Sequence, residues 1–185
     1  MDKKILKLER AIANQKKKLA RLRAKTAEEF ADYDLVSRGG RTVKLSQLFG
    51  KKKELILVHN MGTGCPYCTM WADGFNGLLP HLEDRAAFAV ESPDRPATQK
   101  EFAARRKWNF TMVSSQGTGF RKKSGFQTRE GSPMPGVSVF VKKAGGRIFR
   151  VSSSYFGPGD NYCPTWDLFD LLPGGPGGWT AKFKY

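Results

Sequence analysis

An apolar run that leads into two cysteines two residues apart is the feature that most limits what this chain can fold into. Leu55-Ile56-Leu57-Val58 is followed, across the short segment Met61–Gly64, by Cys65-Pro66-Tyr67-Cys68, which holds two of the three cysteines. A buried strand that runs through C-x-x-C into a helix places a dithiol at the carboxyl end of a sheet, where α/β folds put their sites. A thiol at a helix N-terminus faces unpaired backbone N–H groups and the positive end of the helix dipole. That field favours the thiolate, the attacking species in disulfide exchange. The spacing puts the second sulfur one helical turn on, and Pro66 suits the first helical position, where a missing N–H is harmless. Cys65, nearest the helix end and solvent, is the expected nucleophile, and Cys68 the resolving thiol.

C-x-x-C is also half of a zinc site, and the remaining ligands would have to come from Cys163, His59 and His81. No second C-x-x-C and no paired histidines accompany it, so a redox pair needing no metal and no cofactor beyond its own disulfide is the preferred reading. An inert buried pair is the third.

With 185 residues the chain can bury a core without disulfide staples. No stretch approaches the roughly 20 apolar residues of a membrane span. Met1-Asp2-Lys3-Lys4 opens a charged segment rather than an apolar one, so no secretory signal is expected. Three cysteines then suit a reducing compartment, the cytoplasm. The net charge of +15 is unevenly spread: residues 1–25 carry ten Lys and Arg against Asp2 and Glu9. Such an arm could draw nucleic acid, an anionic surface or an acidic partner, but a solvated basic face is the preferred reading.

Residues 3–25 read as one helix, with Ile5, Leu8, Ile12, Leu19 and Leu22 on a narrow seam interrupted by Gln15. An arm docked on the body is expected, with pairing to a second copy as the alternative. The body then alternates strand and helix. Strands are expected at Tyr33–Ser37, Thr42–Leu45, Glu54–Asn60, Ala86–Ser92 and Phe110–Ser115. Helices are expected at Pro66–Pro80, Thr98–Lys107 and Trp166–Leu172. Ser115–Gly125 reads as a polar loop, and Val137–Val141 with Arg147–Ser153 as a hairpin about Ala144-Gly145-Gly146. This order predicts three parts: an N-terminal basic helix (1–30), an α/β body (31–173) and a Gly/Pro-rich tail (174–185). The body should hold a mostly parallel sheet with an antiparallel edge hairpin and helices on both faces.

In combination the motifs resemble those of the DUF899 family of thioredoxin-like proteins. They include Asp32-Tyr33 after the charged helix, Val43–Phe49, His59-Asn60-Met61, Gly64–Cys68 followed by Ala72-Asp73, Trp108-Asn109-Phe110, Val137–Phe140, Tyr155–Asp160 and Leu168–Pro173. The resemblance implies a thioredoxin-like fold and dithiol–disulfide chemistry, and no substrate. The C-P-Y-C tetrapeptide is shared with glutaredoxins, while its surroundings look nearer to peroxiredoxin-like folds. Three positions depart from those patterns. Gly64 stands where thioredoxins place Trp. Pro135 lies two residues before Val137 rather than directly before the strand, which leaves open its match to the cis-proline that faces the disulfide. Gly62 stands where peroxiredoxins place Thr three residues before their cysteine.

His59 occupies the offset at which thioredoxins keep a buried carboxylate, and could serve as base for Cys68 or be a core histidine. Gly64, Pro66, Tyr67, Trp71 and Pro135 are candidates for the substrate loop, with Trp71 either walling the disulfide or filling core. Cys163 is a candidate extra thiol. His81 reads as a helix C-terminal residue, and Arg121-Lys122-Lys123 as a solvated loop or a site for an acidic thiol. The expected function is a thiol–disulfide oxidoreductase acting on a protein or small-molecule thiol or disulfide. The alternative is a non-catalytic binding module whose basic helix contacts nucleic acid or a protein, and that helix could also carry self-association.

Overall fold

The computed structural model describes residues 2–185. Helix α1 spans Lys3–Arg23 and is capped by Asp2, whose carboxylate accepts from the Lys4 N–H at 2.7 Å. No residue of α1 is buried. Ile5, Leu8, Ile12 and Leu22 are each half exposed or more, so the expected docking of the arm does not occur. The narrow seam is flanked throughout by Lys and Arg, and only the last residue is tied to the body: Arg23 donates to Ser154 and Tyr162.

Eight strands form one sheet: β1 Glu28–Phe30, β2 Asp34–Ser37, β3 Thr42–Lys44, β4 Glu54–His59, β5 Ala87–Ser92, β6 Thr111–Ser114, β7 Gly136–Lys142 and β8 Ile148–Tyr155. Their spatial order is β1-β8-β7-β4-β5-β6-β2-β3. Only β4–β5 and β5–β6 pair in parallel; the other five pairings are antiparallel. The sheet is therefore mixed, not mostly parallel. A parallel neighbour needs a long crossover. Two helices provide them here: α2 (Pro66–Arg85) between β4 and β5, and α3 (Pro96–Arg106) between β5 and β6.

The β7–β8 hairpin is not the edge, because β1 pairs antiparallel with β8 over Glu28–Phe30, flanked by Glu28–Arg150 and Glu29–Arg147 ion pairs. The sheet thus begins within the segment assigned to the N-terminal arm. At the other end, the tail folds back: Trp179 meets Trp166 and Phe169, and Arg106 donates to the Phe183 carbonyl.

Three further assignments shift. Helix α2 runs through Pro80 to Arg85, since burial of Leu79 and packing of Leu82 outweigh the missing hydrogen bond. The loop expected at 115–125 contains the short helix α4 (Phe120–Ser124), anchored by buried Phe120. A last helix, α5, covers Pro164–Phe169, starting earlier than the sequence pattern suggests because Pro164 takes its first position.

The sheet separates two apolar cores. On one face Val58, Phe88 and Val90 pack against Cys68, Trp71, Leu79, Trp108 and Trp166 of the helical layer. On the other, Leu55, Leu57, Ala89 and Phe140 pack against Leu35, Leu45, Phe49 and Phe120. Alternation along β4 decides which residue faces which core. No helix among the described residues is long and apolar enough to cross a membrane.

Candidate active site

The chain leaves β4 at His59 and turns through Asn60–Gly64 into α2. Asn60 directs this turn: its side-chain oxygen accepts from the Gly62 N–H at 2.8 Å, and its amide donates towards the Cys68 carbonyl at 3.4 Å. Gly62 has φ +110°, and a Cβ there would lie 2.8 Å from an Asp94 carboxylate oxygen. Asp94 is itself fixed by the Thr63 N–H and the Ser92 hydroxyl, each at 3.0 Å. Gly64, by contrast, is exposed with open space about its Cα, which leaves the approach to Cys65 unobstructed.

Cys65 is the N-cap of α2 and Pro66 its first residue. The Cys65 sulfur accepts from the Cys68 backbone N–H at 3.0 Å, so it occupies the place of a capping oxygen. It is partly exposed, whereas Cys68 is buried, and both are free thiols. The pKa of Cys65 is lowered to about 7. The largest cause is a hydrogen bond from the Cys68 thiol; the Cys68 and Tyr67 backbone N–H groups add to it, while partial burial opposes them. Cys68 is pushed strongly upward, first by donating to the Cys65 thiolate and then by burial. The two sulfurs thus divide into a thiolate at the surface and a thiol behind it.

Tyr67 is the second residue of α2, and Trp71 lies one turn beyond it. Trp71 is core: its ring meets Phe156 at 5.3 Å and Trp166 at 6.3 Å, and its indole N–H is buried without a partner. Pro135 directly precedes β7, which begins at Gly136 opposite His59, so it does open the strand beside the site. No cis peptide occurs among the described residues. Cys163 is buried as the N-cap of α5 and is joined to the pair by no disulfide. His81 is exposed in the body of α2, one turn short of its end.

His59 is not brought to Cys68. It follows Leu55 and Leu57 on the sheet face opposite α2, stacked on Phe126 at 3.8 Å between ring centres. Its Nδ1 lies 2.7 Å from Glu91 Oε1 and its Nε2 2.9 Å from Ser138 Oγ. Burial lowers the His59 pKa against the pull of Glu91. Burial alone would raise the Glu91 carboxyl, but the hydrogen bond from His59 and the charge of Arg121 override it and hold the pKa down. The network is therefore neutral His59, donating from Nδ1 and accepting the Ser138 hydroxyl, with an ionised Glu91.

Arg121 closes the network. Its Nη1 donates to Glu91 at 2.6 Å and to the Asn60 carbonyl at 3.0 Å; its Nη2 donates to the Met134 carbonyl at 2.8 Å. One guanidinium thereby ties β5, the turn before Cys65 and the segment before β7. Arg121 is 6% exposed, unlike its exposed neighbours Lys122 and Lys123. Sequence reasoning placed all three in a solvated loop and missed Glu91. The available signal was a glutamate within the apolar strand Ala87–Ser92, since such a residue is seldom fully buried without a partner. Among the described residues no group of three or more His, Cys, Asp or Glu side chains could hold a metal ion.

The fold is similar to that of peroxidoxin BcpB from Mycobacterium tuberculosis, with a TM-score of 0.56 and 23% identity over 70% of this chain and 84% of that one. PrxQ of Xylella fastidiosa gives the same TM-score and coverage at 18% identity. These likenesses establish a thioredoxin-like, peroxiredoxin-type α/β fold. Among curated sequences the chain is 26% identical to chloroplastic peroxiredoxin Q of Populus jackii over 76% of its length, and 27% identical to that of Triticum aestivum over 69%. It spans 65% and 58% of those two proteins. Residues 1–182 match the family described as bacterial protein of unknown function DUF899, and the chain belongs to that family.

Proposed function

We propose that the protein is a thiol–disulfide oxidoreductase in which Cys65 attacks and Cys68 resolves. The observation that carries this reading is the division of the pair: a partly exposed Cys65 with a pKa of about 7, held by the Cys68 N–H at 3.0 Å, in front of a buried Cys68 kept protonated. The Cys65 thiolate attacks one sulfur of a substrate disulfide, and the other leaves as a thiolate that takes a proton from water. Cys68 then attacks the Cys65 sulfur of the mixed disulfide. The departing substrate thiolate takes the Cys68 proton, leaving a Cys65–Cys68 disulfide and two substrate thiols. A thiol reductant resets the pair by the reverse exchange. Both nitrogens of His59 are held by other partners, so the leaving thiolate, not His59, receives the proton in this scheme. Arg121 acts as a positioning residue, fixing the Asn60 turn that presents Cys65.

Gly64, Pro66 and Tyr67 would flank the bound substrate, with Pro135 across from them at the start of β7. The compartment proposed is the reducing cytoplasm, and the substrate a protein or small-molecule disulfide. The exposed apolar seam of α1 supports self-association through that helix; its basic charge supports nucleic-acid contact less, because no aromatic residues are interleaved.

Mass-resolved thiol trapping across a glutathione redox series tests the main reading. One two-electron transition within about −120 to −270 mV is expected, with Cys65 alkylation half-maximal near pH 7. Two thiols that stay free throughout would leave a binding module instead. A second reading, peroxide reduction, rests on the relatives named peroxiredoxin Q. There the Cys65 thiolate would attack the O–O bond, become a sulfenic acid and condense with Cys68, releasing water. Gly62 at the threonine position weighs against it, and rapid mixing of the reduced protein with hydrogen peroxide separates the two.

A further inference from the structure

The helical layer does not cover the whole of its sheet face. Helices α2 and α3 lie over β4, β5 and β6, while only the three-residue 3-10 turn Ala144–Gly146 separates β7 from β8, so no α-helix covers the β7–β8 half of that face. A cavity of about 250 Å³ remains there, walled by Ile56, Val58, Phe88, Val137, Val139 and Phe156. Its walls are almost wholly apolar, and its mouth is not. Arg23, at the end of α1, donates to Ser154 Oγ at 2.9 Å and to Tyr162 Oη at 3.2 Å beside the opening. Arg23 has no carboxylate partner among the described residues. A guanidinium carries five donors, and only two are used here.

We propose that this cavity binds a small amphipathic anion, an alkyl carboxylate of about eight carbons, with its chain against β4 and β7 and its carboxylate on Arg23. The size follows from the volume. At about 30 Å³ for each water-sized group the cavity holds roughly eight, and it exceeds the ~150 Å³ that accepts benzene. The charge follows from Arg23, which is partly buried at an apolar opening and gains most from an anion that brings its own apolar body. A second copy of the chain is a poorer occupant, because residues 1–25 of each copy carry ten basic residues against two acidic ones and would bring like charge to the same mouth. The site is separate from the dithiol. Neither Cys65 nor Cys68 lines the cavity, so ligand binding here does not depend on the redox reading.

Calorimetric titration of the full chain with octanoate and with octanol tests the assignment. One octanoate per chain is expected. Arg23→Gln should weaken octanoate about ten-fold, the worth of one charge-assisted pair, and leave octanol nearly unchanged. Val139→Phe should fill the cavity and abolish both, and Ser152→Phe, at a half-buried rim position that poses less risk to folding, should do the same. Absence of octanoate binding, equal loss of both ligands in Arg23→Gln, or full binding in folded Ser152→Phe would overturn it. So would binding to phosphatidylglycerol vesicles without octanoate binding, or a sedimenting dimer that takes octanoate only after it dissociates.

Discussion

At the scale of single residues, the buried polar network and the dithiol answer different needs. Cys65 is tuned by backbone N–H groups and by its own partner thiol, all local to one helical turn. His59, Glu91, Ser138 and Arg121 come from four separate segments and have no such locality. Their titration sets a direction for stability against pH. The folded protein keeps His59 neutral, its pKa lowered by burial, whereas the unfolded chain protonates it below about 6.5. The unfolded state therefore binds more protons as pH falls, and stability declines by up to ~1.4 kcal/mol per pH unit for this group. Glu91 adds to the decline at lower pH. Its folded pKa is depressed, so its contribution is present above the unfolded carboxyl value and is lost as pH falls through the folded one. Urea melts at pH 7, 6 and 5 should show falling stability, with a flatter slope in His59→Gln. Glu91→Gln should cost about 3–5 kcal/mol at pH 7, because it leaves Arg121 buried without its counter-charge.

At the scale of elements, the turn between β4 and α2 is the part that places the chemistry, and its two glycines differ in what they do. Gly62 needs a positive φ and abuts Asp94, whereas Gly64 has neither constraint. Gly62→Ala should destabilise the protein by about 1–3 kcal/mol and slow Cys65 alkylation, through strain at the turn that presents it. Gly64→Ala should change stability by less than about 0.5 kcal/mol. Thermal melts with iodoacetamide kinetics on both variants check this. Helix α2 was legible in outline, since C-x-x-C and Pro66 mark its start. Its end was not, because Pro80 is a local stop signal that the packing of Leu79 and Leu82 overrides.

At the scale of the whole molecule, the body is closed by both of its termini: β1 covers β8 on one edge, and the tail places Trp179 on α5. Helix α1 stands apart from this, so a chain lacking residues 1–22 should melt within about 2 °C of the full protein at low concentration, since surface changes far from the core seldom matter. A large fall, read by calorimetry beside sedimentation, would show that α1 packs where the described fold leaves it free. The sequence alone determined the features that rest on near neighbours: the strand–C-x-x-C–helix unit, the parallel β4–β5–β6 crossovers and the amphipathic arm. Helix caps, dipoles and crossover lengths act over a few residues and can be read in order. Tertiary structure decided what depends on faces and edges. Period-two alternation put His59 on the side of the sheet away from Cys68. The pairing of distant strands made the sheet mixed, and burial turned Arg121 from one of three loop cations into the tie that holds Glu91 and the Asn60 turn. The last two outcomes follow from long-range packing and desolvation, which no local pattern of residues encodes.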